Sequence, residues 1–473
     1  MGVVPGSIRR HLRVLVLVLV LVLVIALQWV GVSVVRPRPA LAQTPSRPNV
    51  VLILTDDQRF DTLRVMPAVR RLLVARGMTL RRAIVTNPLC CPSRATILTG
   101  RYSHTTGVYS NWGQHGGWGA FRPSESSTIA TALDAVGYRT ALIGKYVNGY
   151  VGDGIYVPPG WNRWFAFAGS NGSYYDYKIF DDRRGPGLVS FGSQPGDYST
   201  DVIRRKAVAF IRGTRVATPL FLMVAPYAPH GNFTAAPRHE GDLSAMPVRL
   251  RPSLNEADMS DKPRYLRGRP LVQVTTVRSR TRDQWETLLA VDDMVSAIVR
   301  ALRETGRANN TLIIFTSDNG VLNFEHRWGD KLVPHEESIR VPMIVRLPGS
   351  IPAGTASKSL VSNVDIAPTI ADFAGASLPA DGVSLRGLLT GRASSVRSSV
   401  VLEHIGRSVP HYCGVRTRSF MFAHYATGEE ELYDLSKDPH QLRNVVSSRR
   451  IKARQLRILT KSLCQPVPPG FSW

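Results

Sequence analysis

Four short apolar runs constrain this chain more than anything else in it. They are Asn49-Val-Val-Leu-Ile-Leu54, Gly137-Tyr-Arg-Thr-Ala-Leu-Ile143, Pro219-Leu-Phe-Leu-Met-Val224 and Thr311-Leu-Ile-Ile-Phe315. Their near-continuous apolarity suits parallel strands covered on both faces. Each run breaks off in polar residues: Thr55-Asp56-Asp57-Gln58, Gly144-Lys145-Tyr146, Ala225-Pro226-Tyr-Ala-Pro229-His230 and Thr316-Ser317-Asp318-Asn319-Gly320. Ligands of open α/β sheets bind at the carboxyl ends of strands. The expected fold is α/β, with a large domain over 47–393 whose mostly parallel central sheet is covered by helices. Helices are expected over 67–77, 129–136, 201–212 and 285–304, the last with Leu288, Val291, Val295, Ile298 and Leu302 on one stripe.

The pattern changes after about residue 393. Residues 400–404, 420–425 and 430–435 read as short strands, and 451–463 as a closing helix. A small α+β domain with an antiparallel sheet is expected over 394–473. Residues 232–282, polar and rich in proline and arginine, read as an excursion over the active face, a natural seat of substrate selectivity. The Gly/Trp-rich loop at 109–121 is either a pocket lip with an aromatic platform or a plain surface loop. Asp292-Asp293 is expected at the surface or behind a site, and the helix begun at 363–369 is expected to be structural.

Residues 1–42 read as an export signal. Arg9, Arg10 and Arg13 precede an apolar run from Val14 to Val35, and Ala40-Leu41-Ala42 offers an A-x-A cleavage site. The run is also long enough to cross a bilayer. Cleavage after Ala42 and export to the periplasm, cell surface or medium is the expected outcome. A retained anchor is the alternative, and the only one that attaches the chain to a membrane. The formal charge is +24, and the five arginines of the first 42 residues, which hold no acid, leave +19 on the rest. Such a surface attracts polyanions. Only nine of the 59 basic residues are lysine, so a biased genome explains the excess equally well. No basic run interleaved with aromatics points to nucleic acid. Of four cysteines, Cys413 and Cys464 either form one disulfide in an exported protein or stay as two free buried thiols.

The other two lie in Cys90-Cys91-Pro92-Ser93-Arg94-Ala95-Thr96-Ile97-Leu98-Thr99-Gly100. A thiol beside a permanent cation suits a reactive cysteine, and the helix that follows turns its N-terminal N–H groups toward an anion. A helix start with buried cysteines is the plain alternative. The pattern C-x-P-S-R-x-x-x-L-T-G resembles the signature of the type I, formylglycine-dependent sulfatases. Its Cys-Cys form, with Gly144-Lys145-Tyr146-Val147-Asn148 and Val291-Asp292-Asp293-Met294, looks most like N-acetylglucosamine-6-sulfatases and heparan endosulfatases.

The resemblance implies an alkaline-phosphatase-like large domain and a Cys90 oxidised to formylglycine (3-oxoalanine) by a maturation enzyme. It implies metal ligands Asp56, Asp57, Asp318, Asn319 and the modified Cys90, and catalytic roles for Cys90, Arg94, Lys145, His230 and Lys331. The stretch from Lys331 through Glu336-Glu337-Ser-Ile-Arg340-Val-Pro-Met-Ile-Val345 places Lys331 on the sulfate. Asn148, His104 and His326 are candidate substrate contacts. Val147 stands where relatives often carry histidine, and His335 where tyrosine is common. The oxygen-donor set suits calcium, or magnesium. In the implied reaction, a hydroxyl of the hydrated aldehyde attacks sulfur, His230 protonates the leaving sugar oxygen, and the second hydroxyl expels sulfate. The implied substrate is a sulfated carbohydrate such as N-acetylglucosamine 6-sulfate, or a small sulfate ester. Two alternatives stand beside this reading. One is a phosphodiesterase or phosphonate hydrolase of the alkaline-phosphatase superfamily; the other is a non-catalytic polyanion-binding surface protein.

Overall fold

A computed structural model describes residues 14–22, 47–150, 156–169, 172–184 and 187–473. The chain divides into Met1–Ser46 and Arg47–Trp473. In the first unit residues 14–22 are helical, with exposed side chains. Arg9, Arg10, Arg13 and the Ala40-Leu41-Ala42 site of the export-signal reading lie outside the described residues. No helix among the described residues is long and apolar enough to cross a membrane.

The second unit is built on an eleven-stranded sheet. Its strands are β1 (Asn49–Thr55), β2 (Met78–Ile84), β3 (Arg139–Gly144), β4 (Arg163–Phe167), β5 (Tyr177–Asp181), β6 (Leu188–Phe191), β7 (Leu220–Ala225), β8 (Thr311–Ser317), β9 (Arg340–Val341), β10 (Met343–Arg346) and β11 (Thr355–Ser362). The order is β11-β2-β10-β8-β1-β7-β3-β4-β5-β6, with β9 beside β2. The centre, β8-β1-β7-β3-β4, is parallel throughout. The flanks are mixed: β10 runs antiparallel to both β8 and β2, and β5 and β6 form an antiparallel edge.

The central strands read as unbroken apolar runs because both faces are covered. Alternate residues of β1 enter different cores: Val50, Leu52 and Leu54 join one, Val51 and Ile53 the other. The second core is closed by α1 (Pro67–Leu72), α4 (Ser199–Arg212) and α5 (Val274–Glu304). The first is closed by α2 (Cys90–Thr99), α3 (Ile129–Ala135) and α6 (Ile366–Ala374). Helix α5 begins eleven residues before its expected start. Its first turns bury Val277, Thr281 and Gln284, a polar contact stripe with no apolar periodicity to read.

Strands β12 (Ser399–His404), β13 (Tyr412–Thr417), β14 (Phe420–Tyr425) and β15 (Glu430–Asp434) make a separate antiparallel sheet. It sits between two apolar layers. Met421 and Ala423 of β14 face the first core, while Phe422 packs with Ala453 and Leu456 of α7 (Arg450–Leu463). Cys413 and Cys464 are joined as a disulfide that ties the end of α7 to β13.

Candidate active site

The parallel centre brings the polar motifs to one edge. In the β1–β8 pair Thr55 lies opposite Ser317, so Asp56-Asp57 and Asp318-Asn319 leave the sheet side by side. The Asp318 N–H donates to the Thr55 carbonyl, and the Asp57 N–H to Asp318 Oδ1 at 3.1 Å. Strand β3 delivers Lys145 through Gly144, whose φ is +120° and where a Cβ would collide with the Ala225 carbonyl. Only glycine fits such a site. The loop after β7 carries His230.

Helix α2 lies across this edge with all ten residues buried and ends at Gly100 in the left-handed region (φ 68°). Cys90 is its first residue. Its Sγ is 3.4 Å from Asp56 Oδ1, 4.0 Å from Asp57 Oδ1 and 2.9 Å from Lys331 Nζ. Lys331 Nζ also donates to Asp57 Oδ1 at 2.5 Å, and Lys145 is ion-paired with Asp56. One turn into α2, Arg94 Nε donates to Asp318 Oδ2 at 2.7 Å, and its Nη2 lies 3.6 Å from Asp56. His230 Nε2 is 3.7 Å from Asp57 Oδ2. Ser93 hydrogen-bonds the Asp318 carbonyl and accepts from Asn363 Nδ2 at 2.9 Å, which locks the helix start onto β8. Asp56, Asp57, Cys90, Arg94, Lys145, Asp318, Asn319 and Lys331 are all buried; His230 is partly exposed.

Three carboxylates therefore face three cations, and the charges set each other. Burial raises the Asp56 pKa, but Lys145, His230, Arg94 and Lys331 outweigh it and hold the group well below the usual carboxylate range. Burial and the Asp56 charge push Asp318 up to about 6. Burial, then Asp56, push the Cys90 thiol up to about 12. Burial lowers His230, although Asp57 and Asp56 pull the other way.

Asp56, Asp57, Cys90 and His230 offer ligand atoms within 4.8 Å of one another. The set read from sequence adds Asn319 and Asp318, whose oxygens here accept from Arg94 and from the N–H groups of Asp57 and Asn319. A thiolate–imidazole site is disfavoured, since Lys331 already occupies the sulfur and the thiol pKa lies high. Asn319 Oδ1 is buried with no hydrogen-bond partner among the described residues, while its Nδ2 points at Asp57 Oδ1 at 2.6 Å. An unpaired carbonyl beside Asp56 and Asp57 fits a hard divalent cation.

Two sequence candidates are not in this cluster. His104 sits in a short helix, with Nδ1 3.0 Å from Glu403 Oε2. His326 is fully buried, with Nδ1 2.7 Å from Glu256 Oε2 and its ring tilted against that of His335, 4.2 Å between centroids. His104 is thus held by Glu403 of β12 and His326 by Glu256 of the 232–282 excursion, and neither joins the cluster around Cys90. Asn148 is buried too, and its carbonyl accepts from Trp118 N, bracing the glycine-rich loop. In that loop Trp112 is exposed while Trp118 is buried. Asp292 accepts from Ala68 N and Val69 N at 2.7 Å and so anchors the start of α1. One residue went unnoticed in the sequence. Arg280 of α5 is stacked over Phe233 and Phe324, beside the loops that carry His230 and Lys331.

The sulfatase family model matches residues 48–376, well over half of the chain. The chain belongs to the sulfatase family. A second match, to the C-terminal region of N-sulphoglucosamine sulphohydrolase, covers residues 324–465. The sulfatase is 32% identical over 458 residues to N-acetylglucosamine-6-sulfatase of Capra hircus, across 86% of this chain and 81% of that one. A solved protein in complex with its substrate D-glucosamine-2-N,6-O-disulfate superposes with a TM-score of 0.75 at 26% identity, covering 89% of this chain and 98% of that one. The alkaline-phosphatase-like architecture is thus shared with sulfatases. Phosphonate monoester hydrolase of Agrobacterium radiobacter shares the fold as well, with a TM-score of 0.70 at 21% identity over 88% of this chain and 95% of that one. The sulfatase relatives at 32% identity over most of the chain, rather than the fold, favour sulfate-ester hydrolysis over that alternative. This sulfatase is a sulfuric ester hydrolase and not a non-catalytic binding protein.

Proposed function

We propose that this sulfatase removes the 6-O-sulfate of glucosamine-type sugars, with Cys90 converted to formylglycine and a calcium ion held at Asp56, Asp57, Asp318 and Asn319. The observation that carries the reading is the placement of Cys90. Its side chain ends among Asp56, Asp57 and Lys331 at the rim of the parallel sheet. The substrate class is supported by the relatives: one named for N-acetylglucosamine 6-sulfate, the other bound to a 6-O-sulfated glucosamine. The aldehyde would supply an oxygen nucleophile through its hydrate, and the cation a concentrated positive charge beside it.

The chain's own residues do the rest. Lys145 and Lys331 bring two ammonium groups to the same side as Cys90, where they hold the sulfate and the charge that builds on it. Arg94 fixes Asp318 and stands near Asp56, which keeps the acidic end of the site in place. His230 is the one partly exposed member, so it meets the leaving group and donates the proton that the sugar oxygen needs. Burial lowers its pKa, and an arriving anionic ester raises it again, so binding loads the acid. In total one water is consumed, the S–O bond to the sugar breaks, and sulfate and a free hydroxyl leave. Export with cleavage after Ala42, and a maturation enzyme acting on Cys90, belong to the same reading.

The test is peptide mass spectrometry of the active protein, followed by rates on N-acetylglucosamine 6-sulfate and an aryl sulfate. Formylglycine at 90 with preference for the sugar is expected. Full activity with an unmodified thiol, or equal rates on every ester, would refute it.

A further inference from the structure

Arg280 lies in the first turns of α5, at the edge of the active face, and is held from three sides. Its guanidinium is 5.1 Å from the ring of Phe233, three residues beyond His230, and 5.9 Å from that of Phe324. Its Nε donates to Asn323 Oδ1 at 3.3 Å. Phe324 and Asn323 belong to the loop that ends in Lys331: Phe324 N donates to the Trp328 carbonyl, and Trp328 Nε1 to the Lys331 carbonyl at 2.8 Å. One arginine thus touches both segments that carry the candidate acid and a sulfate-holding lysine.

Among the described residues its charge has no ion-paired partner. Most arginines near the site are ion-paired, as Arg59 is with Glu325 and Arg94 with Asp318. No carboxylate among the described residues comes within ion-pair range of Arg280, and its terminal nitrogens make no protein hydrogen bond. Burial lowers its pKa, and the acids acting on its charge are Asp330 and Asp57, one of them in the Cys90 cluster. The aromatic faces fix the plane of the guanidinium and leave its fork of terminal N–H donors unspent, near enough to the Cys90 cluster for Asp57 to act on its charge. Such a fork takes planar or tetrahedral oxyanions. The scissile sulfate already has Lys145 and Lys331, so a further unspent cation calls for a second anion.

We propose that Arg280 recognises a second anionic group of the substrate, a sulfate or carboxylate on the same or the adjoining sugar, next to the ester being cleaved. This rests on the glycan-sulfate reading above and deepens it. Arg280 is then a specificity-determining residue, and the preferred substrate carries two negative groups.

The test compares kcat/KM on four esters: an aryl sulfate, N-acetylglucosamine 6-sulfate, glucosamine 2-N,6-O-disulfate, and a uronate-linked N-acetylglucosamine 6-sulfate. The wild type should prefer one doubly anionic sugar over the singly anionic one by about 10- to 100-fold, the range of a charged hydrogen bond. In Arg280→Gln that ratio should collapse toward one through KM, and Arg280→Lys should recover part of it. Which of the two sugars shows the collapse identifies the anion as sulfate or carboxylate. An unchanged ratio in Arg280→Gln overturns the proposal, and so does an equal loss on all four esters with a lowered Tm, the mark of a mere strut. A wild type that cleaves all the sugars without preference defeats Arg280 alone. One that cleaves only the aryl ester defeats the glycan reading and the proposal together.

Discussion

Around Cys90, three buried carboxylates face three cations and polar atoms beside them lack partners; beneath the C-terminal sheet, buried charged groups are tied to opposite charges or to tyrosine hydroxyls. In the first region Asn319 Oδ1 and His230 Nδ1 find no partner among the described residues, and Lys331 and Lys145 lean on carboxylates from other strands. In the second, Lys262 reaches Glu256, Asp261 and the Leu442 carbonyl; Glu431 accepts from Tyr425 and Tyr433; and Arg416 pairs with Glu336. Unpartnered atoms there include imidazole nitrogens of His326, His335 and His404, the Tyr412 hydroxyl and Gln441 Nε2. A histidine escapes the cost of burial by staying neutral, whereas lysine and aspartate beside one another cannot. Burial of charge therefore does not mark a site. Unpartnered polar atoms set among opposed buried charges at the carboxyl ends of parallel strands do.

The sharpest way to break this contrast is to change the two cysteines in turn. Cys90→Ala should lower kcat by about 10⁴-fold or more, the scale of a lost nucleophile, with little change in Tm. Cys91→Ala, one residue on, only removes a sulfur from the first core, where Cys91 is fully buried. It should cost about 1 kcal/mol of stability and leave the rate within a few-fold. Turnover on a purified sulfate ester, with thermal unfolding of both variants, checks the pair. A Cys90→Ala enzyme retaining a tenth of the rate would remove Cys90 from the chemistry.

The matched region should answer in the opposite currency. Lys262 is fully buried, and Lys262→Met strands Glu256 and Asp261 without their cation. Breaking one side of a buried pair costs about 3 to 5 kcal/mol. Urea unfolding should show that loss, while kcat of the folded fraction stays near wild type. A variant of wild-type stability would mean that water already serves these carboxylates.

This division also explains what was legible in the sequence. The four central strands and their terminal motifs were plain, because strands buried on both faces must be apolar and parallel neighbours end at one edge. The flanks were not. Strand β2, Met78-Thr-Leu-Arg-Arg-Ala-Ile84, mixes arginine with aliphatics, and β11 is serine-rich, so their pairing comes from neighbours rather than propensity. Strands β4 and β5 were hidden in and at the end of a Gly-, Trp- and Tyr-rich stretch from Tyr150 to Phe180, and β6 and β13 in unremarkable ones. His104 and His326 looked like site residues because a lone histidine carries no sign of its partner. Glu403 and Glu256 stand 299 and 70 residues away. Arg280 was missed for the converse reason: the start of α5 buries Thr281 and Gln284, so it read as a polar loop.

A smaller effect tests whether the unmatched histidines beneath the C-terminal sheet really are neutral. His404 ends β12 fully buried, with neither ring nitrogen partnered among the described residues. Burial, then the nearby charge of His411, pushes its pKa from 6.5 down to about 3. The folded pKa is the lower one, so between these values the unfolded chain binds the extra proton. The stability that His404 confers is thus complete above pH 6.5 and falls as pH drops toward 3. Carboxylates held low enter later: Glu430, held to about 2 despite burial by His424 and Arg457, releases its contribution only below its ordinary 4.5. Raised carboxylates such as Asp318, pushed up to about 6, share the interval from pH 6.5 to 4.5 with histidine. At pH 5 the His404 share is about 2 kcal/mol relative to pH 8, from the usual 1.4 kcal/mol per pH unit. Urea unfolding of wild type and His404→Phe at both values isolates it, since all other groups cancel between the two proteins. The drop between pH 8 and pH 5 should be smaller in the variant by that amount. Equal drops would mean that His404 is solvated, or already charged, in the fold.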